Sequence, residues 1–114
     1  MKPRRKRKSI SEDSFKAKVK SWALKVRVKP KQIRVQKMTR KWASCSTKGY
    51  LTFSEKLLHE TSKFRDFVIV HELLHLKIPN HGKLFKSLLS AHVPGWRRWE
   101  KKVSATKVTD EDGT

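Results

Sequence analysis

The sequence contains one cysteine, few acidic residues and no long apolar run. The single cysteine, Cys45, cannot form an internal disulfide, which agrees with a reducing compartment. The apolar runs are too short for a membrane-spanning helix or for the core of a signal peptide, so we expect a cytoplasmic protein without a membrane partner. A chain of 114 residues can bury one modest core, which predicts a single folded domain. None of these features predicts an oligomeric state.

The shortage of acidic residues leaves the chain strongly basic. Ten aspartates and glutamates stand against 29 lysines and arginines, so the formal net charge is +19. Six of the cations lie close to the first residue: Lys2, Arg4, Arg5, Lys6, Arg7 and Lys8. The last eight residues carry a net charge of −2. Residues 9–106, between them and the basic start, therefore carry +15 of the total of +19. This charge predicts a polyanionic partner, and we expect nonspecific nucleic-acid binding through the basic surface, including these six residues.

Composition shifts divide the chain into three parts. Residues 1–9 form a like-charged run without apolar partners, which predicts a disordered basic arm. Residues 10–103 contain the periodic apolar patterns and are the predicted folded domain. Residues 104–114 are predicted to be a disordered acidic tail. There are no internal repeats.

Helical and strand patterns both occur in the predicted domain, which indicates the α+β class. Ser11 is a predicted N-cap for a helix from about Glu12 to Val26. A strand is expected between Gln32 and Met38, where apolar and polar residues alternate. Two further short strands are expected around residues 42–44 and 50–53, in a hairpin whose left-handed position is taken by Gly49.

The second half of the domain reads as three helices. Thr61 or Ser62 is the predicted N-cap of a long helix. A third helix is expected from about residue 82 to residue 91, and Pro94 opens a last helical segment. Four side chains of the third helix are predicted to point inward: Leu84, Phe85, Leu88 and Leu89.

Residues 71–75 read H-E-x-x-H, within the stretch FVIVHELLHLKIPNH at residues 67–81. In a helix, His71 and His75 lie on one face because they are four residues apart. Zinc takes roughly tetrahedral coordination by histidine nitrogens, and a catalytic zinc keeps one position open for water or substrate. The pattern therefore predicts one Zn²⁺ per chain, held in part by these two histidines.

The predicted third ligand is His81, six residues beyond His75. Pro79 has no N–H and biases Ile78 away from the helical conformation. The helix is therefore expected to end near Lys77, and the chain then turns back toward the metal.

Glu72 stands beside the first histidine, about 100° around the helix axis. From there it misses the metal and reaches a water bound to it, which is the position of a general base. The alternative is that the histidines are half-buried polar residues on an amphipathic helix without a metal. Glu72 argues against that alternative, because a carboxylate among Val70, Leu73 and Leu74 is costly to bury without a metal-bound water or a cation as partner.

Two segments of the chain together resemble a known family. They are KWASCSTKGYLTFSEKLL at residues 41–58 and VIVHELLHLKIPNHGKLFK at residues 68–86. In this order and spacing they resemble the YgjP-like zinc metallopeptidases, relatives of the SprT and WLM families. The resemblance covers roughly Ile33 to Leu89, most of the predicted domain.

The resemblance implies a minimal zincin-like fold, in which a small antiparallel sheet packs on the active-site helix with flanking helices around it. It also implies zinc held by the residues matching His71, His75 and His81, with Glu72 as the base. By resemblance to zincins, an extended peptide or protein substrate would lie along the sheet edge near four residues: Tyr50, Leu51, Thr52 and Phe53.

These observations favour a zinc-dependent hydrolase, and among hydrolases a metallopeptidase. In this hypothesis zinc lowers the pKa of its bound water toward about 7, Glu72 takes the proton, and the hydroxide attacks a carbonyl polarised by the same ion. Two alternatives stay open. The same metal and base would suit a hydrolase of nucleotide phosphoanhydrides, or the chain is a basic nucleic-acid-binding module with a structural metal. The open coordination position argues against the second, because structural zinc normally has four protein ligands.

Other residues with functional side chains are predicted to be structural. Cys45, beside a strand, is interpreted as a small core residue and not as a metal or redox thiol. Three tryptophans are predicted to lie in the core, although bases could stack on them: Trp42, Trp96 and Trp99. His59 and His92 lie outside the ligand spacing and are not expected to bind metal.

Overall fold

The computed structural model describes residues 9–106. The elements are α1 (Glu12–Val26), β1 (Gln32–Gln36), β2 (Ala43–Cys45), β3 (Tyr50–Ser54), a 3-10 helix (Glu55–His59), α2 (Ser62–Leu74), α3 (Lys83–His92) and α4 (Arg97–Thr106). This confirms the predicted α+β class. The predicted nucleic-acid contacts of the arm lie outside the described residues: Lys2, Arg4, Arg5, Lys6, Arg7 and Lys8.

Helix α1 begins and ends where local sequence signals place its limits. The Ser11 side chain accepts a hydrogen bond from the N–H of Ser14, at 3.0 Å, which confirms the predicted N-cap. The buried face repeats at helical spacing and consists of Phe15, Val19, Ala23 and Val26. At the other end Arg27 takes a left-handed conformation with φ 68°, which ends the helix.

The sheet has three strands in the order β1-β3-β2. β2 pairs antiparallel with β3, whereas β1 pairs parallel with it, in the register Gln32↔Tyr50 to Gln36↔Ser54. The expectation of an antiparallel sheet is therefore wrong for β1, and the sheet is mixed. β1 and β3 can run parallel because residues 37–49, which include β2, return the chain to the same end of the sheet.

The central position of β3 contradicts the expectation that this strand is a sheet edge. Tyr50, Leu51, Thr52 and Phe53 were predicted to line a sheet edge, but β3 is paired with β1 on one side and with β2 on the other. Its backbone groups are thus used within the sheet, and Leu51 and Phe53 are fully buried. In the described part of the chain, the edge strands of this sheet are β1 and β2.

Helix α2 lies at the centre of the core, because α1, β2 and α3 all pack against it. The Thr61 hydroxyl accepts a hydrogen bond from the N–H of Phe64, at 3.3 Å, and caps its N-terminus as predicted. The helix ends at Leu74 and not near Lys77, and two hydrogen-bonded turns follow it, one from Leu76 to Leu73 and one from Lys77 to Leu74. This segment ends at Ile78, whose backbone N–H donates a hydrogen bond to the carbonyl of Leu74 at 2.8 Å.

The Lys77 side chain ties this turn to α1. Its Nζ donates to the carbonyl of Val26 at 2.8 Å, one of the carbonyls that the end of α1 leaves without a helical partner. This bond fixes the segment after α2 against the end of α1.

One expectation about α3 differs from the structure. Phe85 and Leu89 are buried and Leu88 is half-buried, but Leu84 is 61% exposed, because it lies on the outer side of the first turn of α3. Helix α4, the predicted last helical segment, runs from Arg97 to Thr106, and the domain boundary at Val103 stays a prediction. The tryptophans lie in or against the core as predicted, with Trp42 and Trp96 buried and Trp99 half-buried.

No helix among residues 9–106 is both long and apolar enough to cross a membrane.

Candidate metal centre

Three histidines meet where α2 ends and α3 begins. His71 lies in the last turn of α2, His75 is the C-cap of that helix, and His81 lies in the segment before α3. One ring nitrogen from each lies within 4.8 Å of the others. Three nitrogens bound tetrahedrally to one zinc are about 3.3 Å apart, since each Zn–N distance is about 2.0–2.1 Å. Small ring rotations therefore convert the observed arrangement into a metal-binding one.

The segment after α2 brings His81 to the two helical histidines. His75 Nδ1 lies 3.3 Å from the carbonyl oxygen of Ile78, which can only accept, so Nδ1 carries the proton and donates. The lone pair of His75 is consequently on Nε2. Nε2 of His81 lies 2.8 Å away and donates a hydrogen bond to this lone pair, so the two ring nitrogens face each other.

The surroundings of His75 and His81 favour the neutral imidazole. Burial is the main cause that lowers the pKa of His75 below 6.5, and the neighbouring His71 lowers it further. Loss of solvation, followed by repulsion from His71 and His75, lowers the pKa of His81 to about 4. Neutral imidazole is the form that binds a metal, so the site is ready to accept a cation at neutral pH.

Glu72 is buried beside the cluster, with 4% of its surface exposed. Its Oε2 lies 3.5 Å from His71 Nδ1, whereas its Oε1 is buried without a hydrogen-bond partner among residues 9–106. A buried carboxylate oxygen without a partner is costly, and a metal-bound water or a substrate group would satisfy it. The three histidines and this carboxylate together fit a hydrolytic metal site.

Strand β2 is the sheet edge that packs against α2. Its last residue, Cys45, is half-buried, and its thiol lies close enough to Glu72 to feel its charge. Burial is the main cause that raises the pKa of Cys45 to about 11, and the Glu72 carboxylate adds to it. The thiol therefore stays protonated at neutral pH, which agrees with the structural interpretation of this cysteine.

Two histidines lie away from the cluster. His59 Nδ1 is 2.9 Å from the Ser9 hydroxyl, and His92 packs edge-on against the ring of Trp22.

One contact of the cluster was not predicted. Phe85, expected only to point inward, packs against all three histidine rings.

Comparison with known families decides what kind of protein carries this site. The model of the family described as YgjP-like, metallopeptidase domain, matches residues 4–106. The chain belongs to this YgjP-like family. Membership implies a metal ion, since metallopeptidases hydrolyse with one. The YgjP-like match begins inside the predicted arm, and the division of the chain near Ser9 stays a prediction.

Solved structures share the fold of this YgjP-like domain. The metallopeptidase zymogen of Methanocaldococcus jannaschii, jannalysin, aligns with a TM-score of 0.70 and 24% identity, over 80% of this chain and 94% of that one. The metallopeptidase zymogen of Pyrococcus abyssi, abylysin, aligns with a TM-score of 0.69 and 18% identity, over 80% and 92%. These likenesses confirm the metallopeptidase fold. No match was found among curated proteins.

Proposed function

We propose that this YgjP-like domain is a zinc-dependent peptidase, with one Zn²⁺ held by His71, His75 and His81 and with Glu72 as the general base. The observation that carries the proposal is the meeting of three ring nitrogens within 4.8 Å next to a buried carboxylate oxygen that has no hydrogen-bond partner in the described part of the chain. Three protein ligands leave one of four tetrahedral positions for water or substrate, as in catalytic zinc sites. Structural sites normally use four protein ligands, and this group has three members in the described part of the chain.

The chain's own residues account for the proton transfers of peptide hydrolysis. When bound, zinc acts as a Lewis acid that polarises a carbonyl and acidifies water. Glu72 accepts a proton from the attacking water while the oxygen of that water bonds to the carbonyl carbon. The same carboxyl then gives that proton to the leaving nitrogen as the C–N bond breaks. Glu72 is only 4% exposed, which keeps bulk water away from this carboxylate, and its helix neighbours Val70, Leu73 and Leu74 are fully buried.

The substrate strand is proposed to lie beside β2. This strand is a sheet edge packed against α2, and its last residue, Cys45, is electrostatically coupled to Glu72. An extended peptide can pair with the free backbone groups of such an edge. The carbonyl of the bond to be cleaved would then lie near Glu72. A peptide cannot pair with β3 in the same way, because β1 and β2 already pair with both of its sides. Peptides are favoured over phosphoanhydrides because the family and both solved structures are described as metallopeptidases.

The test combines metal analysis with a turnover screen. Purified protein should hold about one zinc per chain by elemental analysis and should hydrolyse peptides but not nucleoside triphosphates. His81→Ala should lose most of the zinc and the turnover, while the control His59→Ala, at an exposed histidine outside the cluster, keeps both. Full zinc occupancy in His81→Ala would remove His81 from the site. Turnover of triphosphates without peptides would replace the peptidase by a phosphohydrolase.

A second proposal concerns nucleic acid, and a distinct part of the surface favours it. Residues 14–54 contain twelve lysines and arginines and no aspartate or glutamate. Five of these cations are exposed at the end of α1, in the connection after it and on β1: Lys25, Arg27, Lys29, Lys31 and Arg34. β1 is the sheet edge opposite β2, whereas the end of α1 lies beside the segment that follows α2, where Lys77 donates to the carbonyl of Val26. We propose that the strip, together with the arm, binds phosphate backbones in a cytoplasmic setting.

Salt titrations test this second proposal. The logarithm of affinity for duplex DNA should fall linearly with the logarithm of salt concentration, by about 0.9 per phosphate neutralised. Deleting residues 2–8 and, separately, replacing Lys29, Lys31 and Arg34 by glutamine should each flatten the slope. Hydrolysis of a short neutral peptide should stay nearly unchanged in both variants. A slope that neither change alters would show that these cations do not contact nucleic acid.

A further inference from the structure

Phe85 is the aromatic residue of α3 that faces the candidate metal centre. Its ring centroid lies 5.3 Å from that of His71, 4.8 Å from that of His75 and 4.7 Å from that of His81. The side chain is 2% exposed, so its ring has little freedom to move away. By comparison, Phe67 packs against His71 at 5.7 Å, as a neighbour on the same helix. Among the described ring contacts, Phe85 is thus the one aromatic shared by the three histidines.

His71 is held within α2 beside Phe67 and Glu72, whereas His75 and His81 lie beyond the last residue of that helix. The His75 ring is oriented by backbone hydrogen bonds to Ile78, whose carbonyl lies at a long 3.3 Å, and to Pro79. His81 lies in an exposed segment outside any helix, and its hydrogen bond is to His75, another member of the cluster. An imidazole that is free to rotate must be ordered before it can bind a metal, and this ordering weakens the affinity. A buried ring in contact with all three restricts the rotation before any metal arrives.

We propose that Phe85 is a positioning residue that pre-orders His71, His75 and His81 for metal binding, through contact with their rings and without a bond to the ion. The inference rests on the proposed metal centre and goes beyond it, because it assigns the geometry of the ligands to a side chain of α3. Residues that orient metal ligands without binding the metal typically change metal affinity by 10- to 100-fold when they are replaced. Phe85 acts by packing, in place of the more usual hydrogen bond.

The experiment compares Phe85→Leu with a matched control, Leu89→Ala. Leu89 lies one turn further along α3 and is 1% exposed, so its truncation also opens the buried face of this helix. Zinc affinity would be measured by competition with a chromophoric chelator, and thermal stability on the metal-free proteins. Phe85→Leu should bind zinc about 10- to 100-fold more weakly. Leu89→Ala should melt at a lower temperature than the wild type yet bind zinc within about threefold of it, because Leu89 has no aromatic ring to pack against the histidine rings.

A conservative variant and a spectroscopic signature separate positioning from general stability. Phe85→Tyr keeps the ring and should retain zinc affinity within about threefold, and Phe85→Met, which lacks a ring, should lose it as Phe85→Leu does. Cobalt(II) bound to Phe85→Leu should show a visible absorption spectrum different from that of the wild type, because the ligand geometry is less constrained.

The outcomes distinguish this inference from the proposal on which it rests. If wild-type protein does not bind zinc, the metal centre itself fails. If the wild type binds zinc and both Phe85→Leu and Phe85→Met bind it equally well, the metal centre stands and the positioning role of Phe85 is overturned. A loss of affinity in Leu89→Ala as large as that in Phe85→Leu would also overturn it, because stability of α3 would then explain both.

Discussion

Replacing Glu72 by glutamine separates the chemistry of the candidate centre from its metal binding. The side chain is 4% exposed, one carboxylate oxygen lies 3.5 Å from His71 Nδ1, and the other has no hydrogen-bond partner in the part of the chain that the structure describes. Glutamine has nearly the same shape, so it fills the same space, but its amide cannot take the proton of the attacking water. A positioned general base contributes about 10²- to 10⁴-fold, so kcat/KM should fall by this factor, or about 3–5 kcal/mol in transition-state stabilisation.

Zinc content and folding should survive the substitution. Glu72→Gln replaces a buried carboxylate by a neutral group and leaves the three histidines in place, so the protein should hold about one zinc per chain. The metal-free variant should melt no lower than the wild type, because no buried charge has to be desolvated. The assay is hydrolysis of one peptide by zinc-loaded proteins, with Glu55→Gln, an exposed glutamate, as the control. Turnover within threefold of the wild type in a zinc-loaded Glu72→Gln protein would refute the role of Glu72 as base.

Three further predictions follow from the described residues. Metal-free protein should lose stability as the pH falls from about 6.5 to about 4. Over this range His81 binds a proton in the unfolded chain but not in the folded chain, where its pKa is about 4. Denaturant midpoints that stay flat over this range would contradict the prediction. Cys45, with a pKa of about 11 against an ordinary 9.0, should react about a hundredfold more slowly with iodoacetamide at pH 8 than an unhindered thiol, and alkylation at the ordinary rate would show that the thiol is not buried. Thr61→Ala removes the N-cap of α2 and should lower the free energy of unfolding by about 1 kcal/mol, as measured by urea denaturation beside Thr47→Ala, an exposed threonine, as the control.

The elements with local signals could be predicted from the sequence. The limits of α1 follow from the Ser11 cap and from an apolar face at helical spacing, and both act within a few residues along the chain. The two histidines of the H-E-x-x-H pattern share a face because helix geometry puts residues four apart side by side. The buried position of Glu72 was likewise expected from the apolar residues around it. In all three cases the cause lies within one or two turns of backbone.

The sequence by itself could not determine how the strands pair. Alternation of apolar and polar residues marks a strand but is the same for either direction, so β1 was wrongly expected to be antiparallel. For the same reason the expected substrate edge was assigned to β3, which the sheet places in its centre. Strand direction and order depend on the path of the connections and on which faces α1 and α2 cover. These are long-range contacts, and only the tertiary structure decided them.

The completion of the metal centre also depended on tertiary structure. Spacing suggested His81, but its approach to His75 comes from the turns after α2 and from the bond between Lys77 and the end of α1. The contact of Phe85 with the histidine rings has no signal in the sequence, where this residue reads as one more inward-facing side chain of α3. A pattern at period 3.6 shows that a residue is buried, whereas the side chains it meets are set by how α3 docks on α2. The sequence thus determined the chemistry available to the site, and packing between helices determined its geometry.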